Sequence, residues 1–299
     1  MTESSLPASF RCGHVAIVGR PNVGKSTLLN RLVGQKVSIT SKKAQTTRHR
    51  ITGILTTTDA QFIFVDTPGF QTLHRSRLNK RMNHAVTQSL ADVDAVILVI
   101  EAGRTVPADR AVIELLPSRA GVAVGINKVD ELEEKDALLP QMAELATMRD
   151  FAAIVPVSAA NGLAVDRLLA EIRKLLPESP PLFGADEVTD RDERFLAAEF
   201  IREKIFRLLG EEVPYATTVV IEGFKLEGDL RRIQATVYVE RDNQRGILLG
   251  AGGAKMKEIA TSARAEMERL FGGKVFLEIW VRVKKGWADS DASLKRLGY

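Results

Sequence analysis

Cysteine is almost absent from this chain of 299 residues; Cys12 stands alone. One thiol excludes an intrachain disulfide and a cysteine-clamped metal site, and this scarcity fits a reducing compartment. Long apolar runs are missing too. Stretches such as residues 95–100 and 154–157 fall far short of the ~20 residues that cross a bilayer. The opening MTESSLPASFRCG lacks the apolar centre of a secretory signal. Neither sign of charge dominates, with 42 basic against 38 acidic side chains. No low-complexity tract and no internal repeat occurs, which excludes fibrous and solenoid classes. What remains is 45% apolar and 27% charged, an ordinary globular balance. The expectation is a soluble cytoplasmic protein of about two domains.

The charge is unevenly placed. Residues 194–299 hold 19 basic and 15 acidic side chains, which is the whole excess of four. A basic final third points to an anionic partner, though only weakly. The pattern of elements changes at the same place. Up to about residue 177, short apolar β-branched runs (HVAIVG, ITGILTT, QFIFVD, DAVILVI, GVAVGIN, AIVPVS) alternate with helical patterns. ITGILTT and QFIFVD lie close enough to form a hairpin. The rest predicts a mostly parallel sheet covered by helices on both faces, an α/β domain. PESPPLFGADEVTD follows, and its three prolines and acidic residues predict a linker. The boundaries expected are a tail over 1–12, a first domain over 13–177, a linker over 178–193 and a smaller α+β domain over 194–299. That last domain reads helix, strand, strand, short helix, long helix, strand.

Four motifs carry chemistry in the first domain. GRPNVGKS at residues 19–26 fits G-x-x-x-x-G-K-[ST] between a strand and a helix. Its glycines let successive backbone N–H groups wrap an anion at a helix N-terminus. Lys25 would reach the β- and γ-phosphates, and Ser26 would ligate Mg²⁺. DTPG at residues 66–69 ends the QFIFV strand. Asp66 there can hold the Mg²⁺ shell, and the Gly69 N–H can sense a γ-phosphate. NKVD at residues 127–130 ends GVAVGI. Asp130 can accept two hydrogen bonds from guanine, whereas adenine leaves the carboxylate unpaired. Asn127 can contact the base or tether the phosphate loop, and the Lys128 stem can cover the ring. Backbone amides of Ser158 and Ala159 could meet guanine O6. In the second domain, GAGG at residues 250–253 lies between the short and the long helix.

In this order, the first four motifs resemble those of the translation-factor-like GTPases, and KKAQTTRHR at residues 42–50 resembles switch I. Thr47, or else Thr46, would then be the threonine that ligates Mg²⁺ when GTP is bound. The second domain resembles a type II K-homology domain, whose G-x-x-G turn admits a nucleic-acid backbone and leaves single-stranded bases in an apolar groove. The two together, from about residue 13 to 285, resemble the Era family of bacterial GTPases.

The resemblance implies that GTP is held by Gly19, Arg20, Pro21, Asn22, Val23, Gly24, Lys25, Ser26 and Thr27. It adds Asp66, Thr67, Pro68 and Gly69, then Asn127, Lys128, Val129 and Asp130, then Ser158 and Ala159. It implies RNA contacts at Ile247, Gly250, Ala251, Gly252, Gly253, Lys255 and Lys257. Small-subunit ribosomal RNA near its 3′ end would be the partner, subunit assembly and maturation the purpose, and peripheral membrane association is permitted; no DNA is expected. Two departures matter. Phe70 stands where Ras-like enzymes place a water-orienting glutamine, and a phenyl ring cannot orient water. In related GTPases that share Asn22, a potassium ion bound there takes the space of an arginine finger. Slow hydrolysis assisted by K⁺ is therefore expected, with Lys25, Asn22, Thr47 and Gly69 as the catalytic set. Ala251 replaces a residue that is commonly basic in the family's turn. Two classes compete: a metabolic P-loop kinase or ATPase, against which NKVD argues by selecting guanine, and a membrane-surface GTPase anchored to lipid by its basic final domain, against which the lack of a polybasic run or lipidation motif argues.

Overall fold

The computed structural model describes residues 9–41, 43, 45–70, 77–210 and 212–297. Most of the expected tail, and Lys42 and Ala44 of the expected switch I, lie outside the described residues. The chain divides into two compact units, Met1–Ser38, Thr47–His74 and Met82–Asp190 against Ile39–Thr46, Arg75–Arg81 and Arg191–Tyr299. Two pieces of the expected first domain therefore group with the second unit.

The first unit contains β1 (Arg11–Val18), α1 (Lys25–Val33), β2 (Ile51–Thr56), β3 (Ala60–Asp66) and α2 (Arg77–Ala91). After them come β4 (Ala95–Glu101), α3 (Pro107–Glu114), β5 (Gly121–Asn127), α4 (Leu138–Met148), β6 (Ala153–Pro156) and α5 (Val165–Leu175). The first five residues of α2 fall in the second unit. The sheet order is β2-β3-β1-β4-β5-β6. Only the β2–β3 pair is antiparallel, the expected hairpin. The central strands are buried on both faces, which is why β4 reads as the unbroken apolar run AVILVI. Pro156 ends β6, an edge strand where a missing N–H costs no ladder bond. β1 neighbours both β3 and β4, so the chain reverses winding direction beside it. That crevice, at the carboxyl ends of the strands, is where ligands bind in open α/β sheets.

Two boundaries differ from the sequence expectation. β1 begins at Arg11, inside the expected tail, and pairs Arg11 and Cys12 with Ala60 and Gln61. The expected linker is packed along the first unit. Gln61, fully buried, accepts from the N–H groups of Leu182 and Phe183 at 2.7 and 2.9 Å and donates to the Phe183 carbonyl at 2.8 Å. Phe183 packs on Phe10, Cys12 and Ile63, and the Ile54 N–H donates to the Val188 carbonyl at 2.9 Å. Prolines forbid a helix there, but an extended strap can still satisfy a sheet edge and cover it.

The second unit holds α6 (Glu193–Leu208), α7 (Glu212–Tyr215), β7 (Thr218–Glu227), β8 (Leu230–Val239), α8 (Asp242–Leu249), α9 (Ala254–Phe271), β9 (Lys274–Val283) and α10 (Asp291–Arg296). β7 and β8 are antiparallel, and β9 joins β8 in parallel after the helical crossover. Asp192 caps α6 by accepting from the Phe195 N–H at 2.8 Å. Met256, Ile259, Ala263 and Met267 form the buried stripe of α9 at helical spacing. With α6 and the inner face of the sheet they build one core. Ile39 belongs to that core, and the Thr40 N–H donates to the Glu203 carboxylate at 2.9 Å. The observed order matches the sequence expectation, with α7 and a closing segment added. In that segment Trp287 is fully buried and donates to the Ala216 carbonyl at 3.1 Å.

Candidate functional site

Strand β1 ends at Val18 and α1 starts at Lys25, so the phosphate loop occupies the crevice beside β1. Gly24 takes φ +98°, and a Cβ there would stand 2.2 Å from the Asn127 side-chain nitrogen; only glycine fits. Asn22 also has positive φ, and its side chain is exposed. A Cβ on Gly69 would come within 2.8 Å of the Pro21 backbone, so DTPG lies directly against the loop. Lys25 is buried and donates to the Arg20 carbonyl at 2.9 Å. Burial lowers its pKa to about 8 against the pull of Asp66, with Arg20 adding to the lowering.

Asp66 is the centre of the cluster. One carboxylate oxygen, Oδ2, accepts from Ser26 at 2.7 Å, Ser38 at 2.9 Å and Thr47 at 3.3 Å. The hydroxyls of Ser26 and Thr47 lie 2.8 Å apart. Its other oxygen, Oδ1, is buried with no hydrogen-bond partner. Burial pushes the Asp66 carboxyl up, opposed by Lys25 and the three hydroxyls. Hard oxygen donors converging beside an unsatisfied carboxylate oxygen fit Mg²⁺, which prefers such ligands and keeps part of its water shell. Of the two candidate threonines, Thr47 is the one that joins this cluster. Thr46 instead donates to the Lys43 carbonyl at 2.7 Å. Thr67, fully buried, donates to the Ile17 carbonyl and fixes the start of the turn. Phe70 packs on the apolar cluster behind β1, β4 and β5.

At the base-recognition end, Asn127 is a tether. Its amide donates to the Val23 carbonyl and its oxygen accepts from the Ala159 N–H, both at 2.8 Å. The Ser158 and Ala159 amides, expected to meet guanine O6, have partners within the fold. The Ser158 N–H donates to the Leu163 carbonyl at 3.0 Å, and the Ala159 N–H is spent on Asn127. Both turns need internal bonds to hold their shape, and these two amides supply them. Asp130 is exposed at the rim, Val129 beside it is buried, and Thr27 sits on the first turn of α1.

Sequence reasoning missed three residues. Ser38 carries no motif; only the fold brings it to Asp66. Glu101 ends β4, where one carboxylate oxygen accepts from the Lys128 ammonium at 2.7 Å and the other from Arg20. The Arg20 guanidinium also lies 3.2 Å from buried Asp109. Burial alone would raise the Glu101 carboxyl, but Lys128 and Arg20 outweigh it and hold the pKa low. Glu101 thus ties the phosphate loop to the base-recognition turn.

In the second unit, the GAGG turn takes positive φ at Gly250, Gly252 and Gly253. A Cβ on Gly252 or Gly253 would meet nothing within 4 Å, so the turn is open to an approaching backbone. Ile247 is 52% exposed while Leu248 is fully buried, which assigns the first to the surface and the second to the core. Ala251 and Lys257 are exposed; Lys255 pairs with Glu258 at 2.7 Å, which leaves less charge at the turn for phosphate.

Two predictions follow from the nucleotide end. Asp130→Asn turns one acceptor into a donor, which suits the 2-oxo group of xanthine and clashes with the guanine amine. GTP affinity should fall about 10- to 100-fold while xanthosine triphosphate binding is gained; titration with fluorescent analogues checks both. Glu101→Gln removes a part-exposed charge bridge of about 1 kcal/mol. GDP release in stopped flow should quicken about fivefold while turnover at saturating GTP stays within about twofold. An unchanged release rate would show the bridge to be ornamental.

Comparisons with known proteins agree with this geometry. A family model described as a 50S ribosome-binding GTPase matches residues 14–128, and a KH-domain model matches residues 212–288. The GTPase Era of Nitrosomonas eutropha is 58% identical over 292 residues, 98% of this chain and 99% of that protein. The GTPase Era of Chromobacterium violaceum is 53% identical over 97% of this chain and 98% of its own length. A solved Era structure in complex with MgGDPNP and nucleotides 1506–1542 of 16S ribosomal RNA superposes with a TM-score of 0.92. It is 39% identical and covers 97% of this chain and 99% of that one. An Aquifex aeolicus Era variant bound to GDP and AlF4⁻ matches with the same score, identity and coverage. With its phosphate loop, base-recognition turn and KH domain in one chain, this protein belongs to the Era family of GTPases.

Proposed function

We propose that this GTPase is a nucleotide-governed switch that binds the 3′ end of small-subunit ribosomal RNA and assists small-subunit assembly. The observation that carries the reading is full-length similarity to an Era solved with both MgGDPNP and a 16S ribosomal RNA segment, together with the open GAGG turn described above. The residues have distinct tasks. Phosphate-loop amides and Lys25 hold the phosphates and stabilise charge that develops on them during transfer. Ser26 and Thr47, with Asp66 through water, hold Mg²⁺, which neutralises phosphate oxygens when bound. The Gly69 N–H would sense a γ-phosphate. Loss of that phosphate removes the reason for Thr47 and Gly69 to stay in place, an order–disorder device. The segment Ile39–Thr46 is flanked by Ser38 and Thr47 and groups with the RNA-binding unit. A change at the phosphate is therefore passed on along the chain itself.

Phe70 is held by the core, so the attacking water needs another organiser. The exposed Asn22 side chain carries an amide oxygen on the phosphate loop that could hold a potassium ion, which would supply the positive charge of an arginine finger. Turnover should be faster in K⁺ than in Na⁺ at equal ionic strength, and Asn22→Ala should erase the difference. Equal rates for the parent protein in both salts would remove potassium from the mechanism.

Gly252→Asp tests the RNA assignment. It forces a side chain into positive φ and sets a carboxylate against the phosphates. Binding to a single-stranded ribosomal 3′-end oligonucleotide, read by anisotropy, should be lost while GTP binding is kept. Parental RNA affinity in the variant would reduce the turn to a structural hinge. No described helix is long and apolar enough to cross a membrane. Work in the cytoplasm, with peripheral contact at the membrane surface, remains part of the proposal.

A further inference from the structure

The sheet of the second unit has two faces of different chemistry. Along β9 the inward row is Val275, Leu277, Ile279, Val281 and Val283, all in the core under α6 and α9. The outward row is Lys274, Phe276, Glu278, Trp280 and Arg282. Phe276 is 41% and Trp280 43% exposed, unusual for rings of this size. The outward row of β8 lies beside them in register: Arg232 against Phe276, Gln234 against Glu278, Thr236 against Trp280. The Arg232 guanidinium sits 4.8 Å from the Phe276 ring centre. The one acid of the β9 row, Glu278, accepts from the Gln234 amide at 3.1 Å. Lys274 and Arg282, at the two ends of the row, are exposed, and neither makes an ion pair among the described residues. Beside Trp280, the fully buried Thr236 hydroxyl has no partner.

Exposed rings flanked by uncommitted cations are complementary to a polymer that offers π-faces and negative charge together. We propose that this outer sheet face is a second nucleic-acid site, a stacking platform for an unpaired RNA segment. Bases stack on Trp280 and Phe276, and Lys274 and Arg282 take the phosphates, while Arg232 is paired with Glu227 at 3.3 Å. Spacing selects the single strand. Four residues along a strand separate the rings by about 13 Å, whereas stacked helical nucleotides repeat at about 3.4 Å. The two rings therefore take non-neighbouring bases of an extended strand. This face lies opposite α8, α9 and the GAGG turn, and it does not depend on the groove beside that turn.

Tryptophan fluorescence reads the platform directly. The chain has two tryptophans, and Trp287 is fully buried. Adding single-stranded oligo(U) 12-mer RNA to the full chain should quench Trp280, and the Trp280→Phe protein should show no quenching. By anisotropy with labelled oligo(U), Trp280→Ala and Phe276→Ala should each weaken binding about 5- to 100-fold. Trp280→Phe should keep affinity within about threefold, and GTP turnover should be unchanged in all three. The Gly252→Asp protein separates the two sites: quenching should persist in it at higher RNA concentration. No quenching of the parent at saturating RNA overturns the proposal. Quenching that disappears in Gly252→Asp overturns it as well, by assigning the signal to the groove. Equal quenching by an oligo(U)–oligo(A) duplex overturns it by showing charge attraction without stacking, and leaves a protein as the occupant of the rings.

Discussion

The Asp66 carboxylate is the constraint on which the nucleotide site depends. It is fully buried at the end of a central strand, and a buried carboxylate has to be answered by donors or by a cation. Here three hydroxyls answer it from three separate stretches of chain. Ser26 belongs to the first helix, while Ser38 and Thr47 bracket the segment that leaves for the second unit. One oxygen, Oδ2, thus draws three stretches of chain together, and the other is left without a partner. A single electrostatic demand sets positions that no local propensity would fix.

Much of the first unit is legible in the sequence because its strands are buried on both faces, so their apolar runs are long and unmixed. The phosphate loop is legible because glycine at residue 24 and lysine at residue 25 have few other reasons to occur together. Less legible is whatever depends on pairing across the fold. Glu101 ends an ordinary strand, and Ser38 sits in an ordinary polar stretch. Their roles exist only once the strand order brings them beside Arg20, Lys128 and Asp66. Backbone donors such as the Ser158 and Ala159 amides carry no signature in a sequence. The prolines of the linker report that a helix is absent but not whether the extended chain is docked.

The second unit shows the complementary case. Its order of elements is plain from periodicity, and the GAGG turn is plain from its glycines. Its surface is harder to read. Alternation along β9 tells which residues share a face, yet both faces carry large apolar side chains. Only the placement of α6 and α9 shows which row is core and which row is open to solvent. Ile247 and Leu248 are resolved by the same means: adjacent residues with similar hydropathy have opposite environments on one short helix.

The docked strap has a mechanical consequence. Asp190 is held by the Thr52 hydroxyl at 3.0 Å, and Asp192 already caps α6. Arg191 alone separates the two anchor points on that route. A chain fourteen residues long could have acted as a leash, letting the RNA-binding module sample a wide volume at low effective concentration. Shortened to one residue, the connection becomes a pivot. On that route, freedom is confined to the few backbone torsions of a single residue.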